Sequence, residues 1–148
     1  MAIWPYLAFG FAAGAMLPIQ FGINAQLASW VDSPLRATLV SFFVGTLALA
    51  VVMLVAARDW PPLSRVESAP WWVWVGGLLG AFYVLGSVVA APKLGAATLV
   101  AVILAGQAVA SLLVDHFGWV GFEENPVTLG RLAGIAFVAV GVALVRFT

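Results

Sequence analysis

Two lines of polar side chains stand inside otherwise apolar stretches of this 148-residue chain. In "LPIQFGINAQL", Leu17 to Leu27, Gln20 and Asn24 follow Pro18 and are four residues apart, so a helix would carry both on one face. In "AGQAVASLLVDHF", Ala105 to Phe117, Gln107, Ser111 and Asp115 repeat that spacing with His116 alongside. A carboxamide carries two N–H donors and an acceptor oxygen but no charge. Groups of this kind suit hydrogen bonding to a small polar solute, neutral or zwitterionic. Ser41 and Tyr83, on two further apolar stretches, add hydroxyls, and the Tyr83 ring could stack on a solute or gate its passage. The plain alternative is that the amides only bond helix to helix, which in a membrane is typically worth under about 1 kcal/mol per pair. Pro18 favours a cavity instead. It has no N–H to give the carbonyl of Gly14, so the helix is expected to kink or locally unwind there. Backbone groups freed at membrane depth must face protein or a water-filled cavity.

Asp115 and His116 are candidates for protonation or gating, since ionisable groups in a span mark functional sites by default and histidine titrates near neutral pH. Asp115 follows 20 residues of its helix, which places it at headgroup level, on the same side as Arg131 and within reach of it. No carboxylate, lysine or arginine falls at the middle of an apolar stretch. One histidine and no cysteine leave no nucleophile–base pair and no metal cluster, so neither an enzyme nor a cofactor protein is expected. A formal net charge of zero offers nothing to nucleic acid.

These residues are held by an exceptionally apolar chain. Its mean hydropathy is +1.12. Only 8% of residues are charged, against about a quarter in soluble domains. The expected class is an all-α integral membrane protein, a single domain over 1–148 in a bacterial inner membrane. A span needs about 20 apolar residues, and five fit: 2–30, 35–57, 71–91, 95–114 and 126–146. Ser33 and Pro34 read as an N-cap and a first helical residue, and Asn125 with Pro126 repeats the pattern. Arg58 and Asp59 close the second span, "WPPLSRVESAP" forms the longest polar connection, and Pro92 with Lys93 separates the third span from the fourth. "DHFGWVGFEEN" reads as a connection lying along the interface. Trp4, Trp30, Trp60, Trp71, Trp72 and Trp119 fall near span ends, as an interfacial aromatic belt requires.

Basic residues in short loops normally decide orientation. Here Arg58, Arg65 and Arg131 fall on one side of the membrane and Arg36, Lys93 and Arg146 on the other. A chain without bias can insert both ways, and two copies in opposite orientation form an antiparallel homodimer of ten helices. That is the inverted-repeat geometry in which transporter sites lie near the midplane. Small-residue pairs four apart, Gly10–Gly14, Ser41–Gly45, Gly76–Gly80 and Gly130–Gly134, lead to an expectation of close helix crossings.

The stretches "PIQFGINAQLA", "SPLRATLVSFFVGTLAL", "WWVWVGGLLGAFYV", "APKLGAATLVAVILAGQAVASLLVDHFG" and "GRLAGIAFVAVGVAL" together resemble the YdcZ-like family of the drug/metabolite transporter superfamily. The resemblance covers nearly the whole chain and is most specific over Gly106 to Gly118. It implies a five-helix half-unit paired with an inverted copy, with the polar positions above as the family's signature. The small multidrug exporters of that superfamily rely on a glutamate in the first helix, where this chain carries Gln20 and Asn24, and they lack a fifth span. Proton-coupled export of lipophilic cations is therefore not expected. The functional expectation is a secondary transporter working by alternating access, its partners being the bilayer, a small solute and a second copy of itself. The rival is a non-transporting membrane subunit whose amides only lock helices.

Overall fold

The computed structural model describes residues 2–56 and 62–147, with side chains throughout except those of Leu63 and Arg65. Six α-helices follow in order: α1 Trp4–Trp30, α2 Pro34–Val55, the short α3 Leu63–Glu67, α4 Gly76–Leu94, α5 Ala96–Phe117 and α6 Leu129–Phe147. A 3-10 segment, Trp71–Val75, leads into α4, and another, Trp119–Gly121, follows α5. Five helical stretches are long and apolar enough to cross a membrane: Trp4–Trp30, Pro34–Val55, Trp71–Leu94, Ala96–Phe117 and Leu129–Phe147. The expected closure of the second span by Ala57, Arg58 and Asp59, and the start of the following connection at Trp60 and Pro61, lie outside the described residues.

The described residues fall into two units, Met1–Pro92 and Lys93–Thr148. In the first, α1 and α2 form a hairpin whose turn follows from local chemistry. Asp32 takes a left-handed conformation (φ 51°), which a short polar side chain tolerates. The Ser33 N–H then reaches back to the Ala28 carbonyl at 3.1 Å, closing α1 in a Schellman arrangement. Ser33 caps α2 by accepting from the Arg36 N–H at 3.3 Å, and the Arg36 guanidinium donates to the Val31 carbonyl at 3.2 Å. Pro34 occupies the first turn of α2, as its missing N–H allows. Near this turn lies a small apolar core of Ala37, Val84 and Val88, with Leu27, Ala28, Val31 and Tyr83 packed against it. The buried hydroxyls of Thr38 and Ser87 are satisfied within their own helices, by the Pro34 carbonyl at 2.8 Å and the Val84 carbonyl at 2.7 Å.

In the second unit α5 and α6 pack together as a hairpin joined by residues 118–128. Gly118 ends α5 with φ 61° and is crowded: a Cβ there would lie 2.8 Å from Glu124 Cγ and 3.3 Å from the Phe122 carbonyl oxygen. Gly118→Ala is accordingly expected to lower stability by about 1–2 kcal/mol, the usual cost of a left-handed L-residue, read as a lower thermal midpoint in detergent.

Four expectations are corrected. Pro92 and Lys93 do not break the chain: α4 runs through both to Leu94, and the break comes at Gly95, whose φ of 74° and ψ of 165° no helix can follow. A proline in a last turn removes only one backbone bond, so it need not end the helix. Asn125 and Pro126 do not start α6. The helix begins at Leu129, and the Thr128 hydroxyl accepts from the Arg131 N–H at 3.3 Å. Pro18 neither unwinds nor interrupts α1, which is continuous from Trp4 to Trp30. Of the glycines in the small-residue pairs, only Gly80 is closely approached by another helix of the same chain: a Cβ there would meet the Phe42 ring at 3.5 Å. Gly10, Gly14, Gly45, Gly76 and Gly134 face open space.

Candidate functional site

Helix α1 delivers its polar line to the interior of the first unit. Gln20 is half-buried, and with Ser41, Phe42 and Thr46 of α2 and Val84 of α4 it lines a cavity of about 230 Å³. Thr46 spends its hydroxyl on the Phe42 carbonyl at 2.8 Å. Among the described residues the Gln20 amide and the Ser41 hydroxyl make no hydrogen bond, so they are the polar groups this cavity has to offer. Among the described residues no charged side chain lines it.

One turn beyond Gln20, Asn24 is only 4% exposed, yet its Nδ2 has no hydrogen-bond partner among the described residues. The Tyr83 hydroxyl, on α4, is in the same position. Phe21 links the two helices: it sits three residues before Asn24, is buried, and its ring centroid lies 6.0 Å from that of Tyr83. Buried polar groups are nearly always paired, and leaving a donor unpaired costs about 1–3 kcal/mol. Two such groups, on helices joined by the Phe21–Tyr83 contact, are left without the partner a buried polar group ordinarily has. Phe21 and Phe42 were not among the candidate residues. Phe21 could have been found from its place between Gln20 and Asn24.

The second polar line lies in the other unit. Gln107 is exposed at the middle of α5 and lines neither cavity described here. Ser111 donates to the Ala108 carbonyl at 3.1 Å and, with Arg131 and Gly134, lines a cavity of about 240 Å³ between α5 and α6. Asp115 forms the ion pair expected of it, with Arg131. The same guanidinium donates to the Asn125 carbonyl at 2.9 Å, and the Asn125 N–H donates to the Asp115 backbone carbonyl at 2.7 Å. His116 accepts from the Val127 N–H at Nδ1, 3.3 Å away, with the Phe117 ring edge-on at 4.6 Å. Asp115 and His116 together thus hold the 122–128 segment against the end of α5. They do so at the end of a span, away from its middle.

The geometry of the first unit is that of apolar helices carrying an uncharged, partly unpaired polar seam. Residues 5–144 match the family described as "Putative inner membrane exporter, YdcZ". The chain is 32% identical over 140 residues to "Inner membrane protein YdcZ" of Escherichia coli (strain K12), covering 94% of this chain and 93% of that protein. No solved structure matches it. With five apolar helices and a match running almost end to end, the chain is an integral inner-membrane protein and belongs to the YdcZ family of transporters.

Proposed function

We propose that this protein moves a small polar solute, neutral or zwitterionic, across the inner membrane by alternating access, as a homodimer of two oppositely inserted copies. The observation that carries the reading is the pair of buried, unpartnered donors, Asn24 Nδ2 and Tyr83 OH. Amides that only lock helices would be paired with a neighbouring helix. Donors that serve a passing solute are paired only while it is bound. The absence of charge around Gln20 and Ser41 suits a solute without strong net charge, because an unpaired ion is costly to bring into a low-dielectric site. Within the second unit, Ser111 offers a hydroxyl to the cavity between α5 and α6. Asp115 and His116 would act at the membrane face of the second unit, where they hold Arg131 and Val127. The family description gives export as the direction.

Counterflow in sealed liposomes containing the purified protein tests this reading, with a panel of radiolabelled amino acids, betaines, polyols and sugars. Exchange of at least one class is expected, with Tyr83→Phe slowing it. Vesicles that stay tight to the whole panel would overturn the proposal in favour of a structural subunit. For orientation, reporters active on opposite sides of the membrane are fused in turn to the C-terminus, and both should give signal. Activity from one alone removes the oppositely inserted pair.

A further inference from the structure

Gln107 occupies an unusual place. Helix α5 runs Ala96–Phe117, so Gln107 lies about 16 Å from one end and about 15 Å from the other, at the centre of a hydrocarbon layer about 30 Å thick. Its side chain is exposed there. A carboxamide left facing acyl chains would have its hydrogen-bonding groups unsatisfied. It also needs no dissimilar partner, since donor and acceptor sit side by side and two carboxamides can exchange a reciprocal pair of hydrogen bonds.

A two-fold axis that relates oppositely inserted copies must lie in the membrane midplane, because it exchanges the two leaflets. A residue at the midplane of a helix beside that axis meets its own counterpart. We propose that α5 packs antiparallel against α5 of a second copy, with the two Gln107 carboxamides bonded to each other across the axis. This rests on the oppositely inserted dimer proposed above and names the contact that builds it. Neighbouring Gly106, where a Cβ would meet nothing within 4 Å, and exposed Ala110 leave room for the helices to approach closely.

Charge selects this pairing over a parallel one. The loops and helix ends on the N-terminal side carry Arg58, Arg65 and Arg131 but also Asp59, Glu67, Asp115, Glu123 and Glu124. The opposite side carries Arg36, Lys93 and Arg146 with Asp32 alone. A parallel pair would stack the acid-rich sides on one membrane face and the base-rich sides on the other. An antiparallel pair puts one of each on both faces, so that Lys93, just before α5, comes to the face bearing Glu123 and Glu124 of the second copy.

The natural chain has no cysteine, so introduced thiols report without background. Gln107→Cys should give a disulfide-linked dimer when membranes are treated with copper phenanthroline. Ile103→Cys and Ser111→Cys are equally far from Gln107 on either side. Neither should link to itself, but the two should link to each other when differently tagged copies are co-expressed. That pair keeps Gln107 intact and covers the case in which Gln107→Cys fails to fold. In detergent, Gln107→Leu should weaken dimerisation roughly three- to tenfold, the range expected for interhelical hydrogen bonds in membranes. Self-linking at Ile103 and at Ser111 would mean a parallel pair, and absence of all these links would mean another interface; either result overturns the proposal. Links without solute movement would sink the transport reading and leave this contact standing. Transport by a protein that never links would do the reverse.

Discussion

Asn24→Leu should yield a protein that is more stable than the natural one and no longer transports. Leucine keeps asparagine's branching and number of non-hydrogen atoms, is somewhat bulkier, and carries no hydrogen-bonding group. Asn24 is buried with its Nδ2 unpaired among the described residues, so the substitution removes a desolvation penalty and breaks no bond that Nδ2 makes. The expected gain is about 1–3 kcal/mol, seen as a higher thermal midpoint in detergent. The transport rate should fall at least about tenfold, the consequence of losing about 1.4 kcal/mol of interaction with the solute. Opposite signs for stability and activity are what a functional polar group predicts. If Asn24→Leu instead unfolds the protein, the amide is a packing element and the seam loses its claim to be a site. Tyr83→Phe offers a milder version of the same experiment, because it removes the other unpaired group, a hydroxyl, while keeping the ring against Phe21.

What the sequence made legible was chemistry confined to a few adjacent residues. The five apolar stretches announce themselves by length alone, and the Ser33–Pro34 start of α2 is a short-range signal that the Arg36 N–H answers. Pairing of Asp115 with Arg131 was accessible for a similar reason: once spans are counted, both sit at the same membrane face. Prolines misled because their effect was read forward along the chain. Pro92 sits in a last turn that tolerates it, and the sign of φ at Gly95 ends the helix. Pro126 precedes a helix that waits for the Thr128 hydroxyl. Glycine pairs misled differently, since their spacing says which residues share a face but not whether anything lies opposite. Asn125 and Val127 escaped notice as holders of the α5–α6 connection because they act through backbone groups in an irregular segment, where side-chain type carries little information. Gln20 and Asn24 were visible as a polar line. That Asn24 would be buried and unpaired depends on where α4 places Tyr83 and Phe21 packs, which no local pattern encodes.

Arg131→Leu is expected to loosen the α5–α6 hairpin, and a change in its partner should rescue it. The guanidinium binds the Asp115 carboxylate and the Asn125 carbonyl at once, so it ties the end of α5, the start of α6 and the segment between them. Removing it strands the Asp115 carboxylate, whose side chain is 26% exposed. Hydrogen bonds to charged groups contribute about 1.5–3 kcal/mol. Partial exposure and screening reduce that here, so the expected loss is about 1–2 kcal/mol. Asp115→Asn removes the charge that needed a cation, so in the Arg131→Leu background it should recover part of the loss, although alone it is destabilising. A double-mutant cycle on thermal midpoints reads this as a coupling of about 1 kcal/mol, and strictly additive losses would mean that the ion pair contributes nothing. The same variants bear on gating. The pair fixes the 122–128 segment at the membrane face, so a transporter that must release this segment in each cycle would turn over faster in the double variant, whereas one that keeps it closed throughout would show only the stability change.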